Sequence, residues 1–377
     1  MKNVLIYSDE LSRVEYTSSH PFKPVRAKQL MDLLDRYSLI FEEDQEIVKH
    51  EPLEEELLYL YHTHEYIEAL KNCDKGDFDP VLFQYGLGTH DNPIFPGVYE
   101  YSLLAAGGTV QGARLLLGGD TRFVFNPNGG LHHAMSDHAE GFCYVNDIVI
   151  AIRELLNHGM RVAYIDIDVH HGDGVQDAFY EENRVLTVSM HESGHTLFPG
   201  GGFENEMGKG DGLGYTLNVP LLEHSDDEVF VHAYEHIVGP RVERFKPDIV
   251  CIQIGGDAHR EDPLGHLNIT SNGYSRVLSS INDKSDRILA TGGGGYNMFK
   301  TAALWALAWA TFCGIEPRDQ FAGAVGGMMY GPEAQAGSLY DEPYHVGGYR
   351  KEQCMKHVDD VERYITMMEK QNRDKSA

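Results

Sequence analysis

The stretch "YIDIDVHHGDGV" (164–175) continues a β-branched run and then sets Asp166, Asp168, His170, His171 and Asp173 within eight positions. Runs of this kind, apolar with little alternation, mark strands buried on both faces of a parallel sheet. Carboxylates at such a place are costly unless paired or bound to a cation. The stretch therefore predicts a central strand with something positive held near its end.

Other runs along the chain share this form. They are 4–10, 122–133, 184–192, 248–257 and 287–296, and helix-like segments such as 147–159 and 227–245 lie between them. Strand alternating with helix predicts an α/β fold, a single domain with a central, mainly parallel sheet and helices on both faces. In such sheets the binding crevice lies beyond the carboxyl ends of the strands. His132, His133, Asp168, His170, Asp257 and Tyr296 all fall there, although they are spread over 165 positions of sequence. Residues 1–315 form the expected catalytic domain. Residues 316–377 read as a C-terminal extension packing on it, with "VDDVERYITMMEK" (358–370) as an amphipathic helix.

Composition narrows the function. The chain has 377 residues, 42% of them hydrophobic, with 40 Gly and 15 Pro, as in a loop-rich globular enzyme. No apolar run reaches membrane-spanning length, and "MKNVLIYSDE" meets an acidic residue too early for a secretory signal. The net charge of −27 argues against nucleic acid and favours cationic small molecules or basic protein tails; solubility alone is the plain alternative. Five scattered cysteines without C-x-x-C spacing predict a reduced, cytoplasmic setting.

Asp168 and His170, two apart on a strand, would share one face, and Asp257 at another strand end would complete a three-ligand metal site with an open position. The set is oxygen-rich for zinc, and Fe(II) or Mn(II) suits the same ligands. A hydrogen-bonded Asp/His network without metal is the competing reading. His132 and His133 follow two glycines, which allow both rings to reach one crevice. Asp166 and Asp173 are available carboxylates to fix their tautomers. Tyr296 follows "TGGGG" (291–295), which lacks the spacing of a phosphate loop, so the glycines present either a phenol to the crevice or a packing ring. Phe142 and Phe198, each on a glycine-flanked loop, could form a slot for a long aliphatic chain.

Together these motifs resemble the zinc-dependent histone deacetylase family, in its class I-like branch with the arginase/deacetylase fold. The carrying residues are "GGLHHA" (129–134), "GFCYVND" (141–147), "YIDIDVHHGDGV" (164–175), "LFPG" (197–200), "GGDAH" (255–259) and "GGGGY" (292–296), with "HPFKPVR" (20–26) nearer the start. "YGLGTHDNP" (85–93) looks most similar to bacterial acetoin-utilisation-type members. The resemblance implies zinc on Asp168, His170 and Asp257, and Tyr296 opposite it. It pairs His132 with Asp166 and His133 with Asp173, and makes His133 the general base and acid. Gly141, Phe142, Phe198 and Leu264 would wall an acyl-lysine tunnel, Asp91 would sit at its rim, and Arg26 in a channel below the metal. A potassium site maps to Asp166, Asp168, His170, Ser189 and Met190. A second cation site maps to Phe179, Val185 and Tyr215, where Glu182 replaces a hydroxyl residue of relatives. His90 ahead of Asp91 and the spelling "GGDAH" depart from eukaryotic members and bear on substrate.

The expected chemistry is metal-assisted amide hydrolysis, with cation and Tyr296 polarising a carbonyl and His133 moving the proton. The expected substrate is an acetyl-lysine protein or peptide, with acetate released. The alternatives are a deacetylase of small acetylated amines such as acetylpolyamines, and an inactive acyl-lysine reader.

Overall fold

The computed structural model describes residues 1–40, 43–74, 79–317 and 338–376. Eight strands form one sheet: β1 Lys2–Ile6, β2 Gln45–Val48, β3 Thr121–Asn126, β4 Val162–Asp166, β5 Val185–Glu192, β6 Thr216–Leu221, β7 Ile249–Gln253 and β8 Ile288–Thr291. Their order is β2-β1-β3-β8-β7-β4-β5-β6 and every pairing is parallel.

Alternate strand residues feed two hydrophobic cores, one on each face. Leu5, Phe123, Phe125, Ala163, Ile165, Val250 and Ile252 point into one, with the helices Ser271–Asn282 and Met298–Cys313. Val4, Ile6, Val124, Val162, Tyr164, Ile249 and Cys251 point into the other, with Val98–Leu117 and Asp147–Asn157. Strands covered on both sides need no polar alternation, which is why the runs read as continuous.

Two strands escaped the sequence reading. β2 is a half-exposed edge, and β6 carries Asn218 and Pro220. An edge position tolerates the proline. The C-terminal helix Gly348–Ser376 lies over this side, its His357 ring bonded to the Pro220 carbonyl at 2.9 Å. Part of the expected extension, residues 318–337, lies outside the described residues.

Strand ends also came earlier than the sequence suggested. β4 stops at Asp166, so Asp168 and His170 lie in the turn beyond it rather than on a strand face. Successive aspartates make that turn: Asp166 Oδ1 accepts the Asp168 N–H and Asp168 Oδ1 accepts the His170 N–H, both at 3.0 Å. Short polar side chains bonding the backbone two residues on favour turns over extended chain.

Candidate active site

Four adjacent strands, β3, β8, β7 and β4, deliver the expected residues to one rim. The loop after β3 carries His132 and His133, and Asp147 fixes it. That buried carboxylate accepts the Gly130 N–H at 2.9 Å, the Leu131 N–H at 2.8 Å and the Thr109 hydroxyl. Asn146 Nδ2 adds bonds to the His132 and Ala134 carbonyls. The sequence reading passed over both residues, although they close the quoted "GFCYVND" stretch.

Asp168, His170 and Asp257 meet with one potential ligand atom each, all within 4.8 Å of one another. Asp257 is 0%, Asp168 1% and His170 8% exposed. His170 Nδ1 lies 3.2 Å from Asp168 Oδ1 and 3.1 Å from Asp257 Oδ2. Burial opposes charge on all three groups. Even so, Asp168 is held well below the usual carboxylate range by the charges of His132 and His170. Asp257 is pushed up to about 7 by burial and by Asp168, and the two carboxylates lift His170 to about 10. Two buried carboxylates sharing one imidazole cannot both stay ionised without further positive charge. The donor set therefore fits a cation.

Glycines make the cluster's close packing feasible. A Cβ at Gly294 would come 1.9 Å from Asp257 Oδ2, and one at Gly255 would come 2.1 Å from Asp168 Oδ2. The Gly294 N–H instead donates to Asp168 Oδ2 at 2.8 Å. Asp262, also missed in sequence, holds the end of this turn, its Oδ2 accepting the Tyr296 and Asn297 N–H groups at 2.6 and 3.1 Å. Arg26, buried beneath, donates to the Gly295 and Gly293 carbonyls at 2.7 and 2.9 Å. The Tyr296 phenol is raised well above 10 by burial and the nearby Asp257 and Asp168, so it stays protonated.

Each of the tandem histidines has a carboxylate partner. His132 Nδ1 lies 2.8 Å from Asp166 Oδ2, which also accepts the Tyr164 hydroxyl at 2.6 Å. His133 Nδ1 lies 2.7 Å from Asp173 Oδ1. Burial works against charge on both rings, with opposite outcomes. Asp166 and Asp168 lift His132 to about 9, whereas burial and the neighbouring His132 and His170 push His133 well below 6.5.

Around this centre, the Phe198 ring lies 5.0 Å from that of His133, and Phe142 lies 5.8 Å from Tyr296. Gly141 and Phe142 both take positive φ, 51° and 71°, which turns the chain sharply beside His133. Leu264 is partly buried and its N–H bonds Asp262. Asp91 is 60% exposed, 3.5 Å from His90, and its carboxylate caps no backbone N–H among the described residues. Ser189 and Met190 lie in the carboxyl half of β5, with Ser189 paired to Asp166. Phe179, Val185 and Tyr215 instead lie toward the amino end of β5, and the Glu182 carboxylate there is taken by Arg184 at 2.6 Å.

Comparison with known proteins gives the family and the fold. The histone deacetylase domain matches residues 20–312. Acetoin utilization protein AcuC of Bacillus subtilis is 38% identical over 84% of this chain and 83% of its own. Histone deacetylase RPD3 of Saccharomyces cerevisiae is 38% identical over 79% of this chain and 69% of its own. A crystal structure of an HDAC homolog from Aquifex aeolicus superposes with a TM-score of 0.85 at 32% identity, covering 97% of this chain and all of that one. Another, of an HDAC homolog complexed with SAHA, gives 0.86 at the same identity and coverage. The chain belongs to the histone deacetylase family.

Proposed function

We propose that this chain removes acetyl groups from lysine side chains of proteins or peptides and releases acetate. The observation that carries this reading is the buried Asp168–His170–Asp257 cluster, two carboxylates to one imidazole, beside the His132–Asp166 and His133–Asp173 pairs. Asp168, His170 and Asp257 would hold a divalent metal, zinc in our reading with Fe(II) as the second choice. When bound there, such an ion supplies Lewis acidity to a carbonyl and acidifies water.

The protein's own groups divide the remaining work. A carboxylate accepts from each Nδ1–H, which leaves Nε2 of both histidines free for the reaction. His133, kept neutral, takes the proton of the attacking water and returns it to the leaving amine. His132, held through Nδ1 by Asp166, stabilises negative charge as it develops on the substrate carbonyl oxygen. Tyr296 donates its hydroxyl to the substrate carbonyl oxygen. Gly141, Phe142, Phe198 and Leu264 wall the path for the acyl-lysine stem, and Arg26 steadies the glycine turn beneath Tyr296. Potassium belongs to the same proposal at Asp166, Asp168, His170, Ser189 and Met190. The second cation set is the less supported, because Arg184 engages Glu182. A cytoplasmic setting is proposed from the five unpaired cysteines.

A second reading is deacetylation of small acetylated amines. The exposed Asp91 carboxylate and the net charge of −27 suit a cationic small molecule as well as a peptide. Turnover of acetyl-lysine peptides against acetylated polyamines, at one defined metal, tests the choice. A kcat/KM at least tenfold higher for peptides is expected; the reverse ranking puts the small-amine reading first.

A further inference from the structure

Past the matched family domain, which ends at residue 312, one short segment returns to the active-site loops. It is centred on Asp341. Its Oδ2 accepts from His259 Nε2 at 2.9 Å and from the Ser271 N–H at 3.0 Å, and its Oδ1 accepts from Lys300 Nζ at 2.5 Å. The Asp341 main chain is fixed as well: its N–H donates to Ser271 Oγ at 2.7 Å and its carbonyl accepts from Asn272 Nδ2 at 3.1 Å. The Asp341 and Lys300 side chains are mostly buried and His259 is fully so. Burial works against charge here, yet His259 and Lys300 hold the Asp341 carboxyl well below the usual range.

What Asp341 grips gives the contact its meaning. His259 stands two residues after Asp257. Its Nδ1 accepts the Glu261 N–H at 3.1 Å, which leaves Nε2–H as the donor to Asp341 and fixes the ring in one orientation. The His259 carbonyl accepts the Asp262 N–H at 2.8 Å, and Asp262 in turn holds the Tyr296 and Asn297 N–H groups. Lys300 stands four residues after Tyr296, in the first turn of the helix Met298–Cys313. One carboxylate thus bonds a residue just after Asp257 and a residue just after Tyr296. A second contact nearby sets the Arg260 guanidinium 4.0 Å over the Tyr344 ring.

We propose that Asp341 is a positioning residue, and that residues 338–346 complete the active site by clasping the 257–263 and 293–300 loops from outside the family domain. The physical reason is the tolerance of the chemistry. Outer partners of active-site groups typically contribute ~10–100-fold, and a misplacement of about 1 Å can cost ~10². A loop after a strand end has no ladder to fix it, so its precision comes from bonds of this kind. The inference rests on Asp257 and Tyr296 serving the reaction as proposed above.

The test compares Asp341→Asn and Asp341→Ala with Arg350→Ala in the full-length chain. Arg350 ties the same tail to the Glu223 carbonyl at 2.7 Å, away from these loops. Three quantities are measured: kcat and KM, the rate of metal loss to a chelator, and amide hydrogen exchange. Both Asp341 variants should lower kcat about tenfold with KM little changed and speed metal loss by a similar factor. Exchange in 257–263 and 293–300 should quicken while that in 184–192 stays at the parent rate. Arg350→Ala should lower Tm yet leave all three at parent values. Should the Ala variant fail to fold, the isosteric Asn variant decides. Parent-like exchange in those loops in a folded Asp341 variant overturns the proposal, as does an equal effect of Arg350→Ala. Exchange is read with or without metal, so it judges the clasp even if the proposed activity is absent.

Discussion

Two acid–histidine clusters among the described residues have ligand atoms close enough to share a cation, and they differ in how their charges are met. Asp168, His170 and Asp257 are buried; Asp257 Oδ1 accepts the Val169 N–H at 2.9 Å, while its Oδ2 meets the one His170 ring that Asp168 also shares. Glu192, Glu223 and His266 form the other. Glu192 is equally buried, but its Oε1 accepts from the Thr196 hydroxyl at 3.0 Å and His266 Nδ1 at 2.9 Å, and its Oε2 accepts the His266 N–H at 2.8 Å. His266 is half-exposed, open to solvent. Satisfied by donors from two loops, Glu192 works as a tie between the Phe198 loop and the Leu264 loop. The comparison teaches that proximity of ligand atoms does not make a metal site; an unmet buried charge does.

The sharpest way to break this contrast is to delete one member of each cluster. Asp257→Ala should abolish metal retention and bring turnover to background, while Glu192→Gln should keep the parent's metal content. Elemental analysis of the two folded proteins checks both, and equal loss in the two would erase the distinction.

Next in size is Tyr296→Phe, which removes the donor facing the proposed cluster while keeping the ring beside Phe142. A fall in kcat of about 10²–10³ is expected, with metal content unchanged. Near-parent kcat would leave the phenol with packing alone.

A third buried group sharpens the contrast from the neutral side. His50 sits between Ser8 Oγ at 3.1 Å and Asn126 Oδ1 at 3.0 Å, and burial lowers it to about 4. Its folded pKa lies below the ordinary 6.5, so the unfolded chain binds the proton first and stability falls as pH drops through that window. Between pH 7 and 5 the parent should lose ~2 kcal/mol more than His50→Gln does, from 1.36 kcal/mol per pH unit. Denaturant titration at the two pH values reads this directly, and identical losses would count against a neutral buried imidazole.

The smallest effect concerns the rim. Asp91 is exposed and free of backbone capping, as a group that meets ligand rather than its own loop would be. Asp91→Asn should reduce kcat/KM several-fold for an acetyl-lysine peptide, and less for a neutral acetyl-lysine mimic without flanking amides, because a carboxylate accepts N–H groups more strongly than an amide does. Equal reductions in a variant of parent stability would favour the small-amine reading.

Much of this was legible from residue order. Continuous apolar runs marked six of the eight strands, because burial on both faces leaves a simple signature. β2 was missed because an exposed edge has no such run, and β6 because Asn218 and Pro220 interrupt it. The apolar runs also overstated strand length: extended chain and the turn after it are both buried here, and only the hydrogen bonds of Asp166 and Asp168 mark the change. In the site, side chains that face the crevice stood out as His, Asp and Tyr at strand ends. Those that act through backbone N–H groups did not. Asp147 and Asp262 are lone carboxylates in sequence, and their targets at Gly130, Leu131 and Tyr296 are set by the three-dimensional fold.

The most direct measurement of the central claim is acetate release from an acetyl-lysine peptide by the parent chain, followed through metal removal and add-back. The account predicts about one divalent ion per chain at the buried cluster, loss of turnover when a chelator strips it, and recovery on return of one equivalent. Undiminished turnover by protein shown by elemental analysis to be metal-free would contradict it.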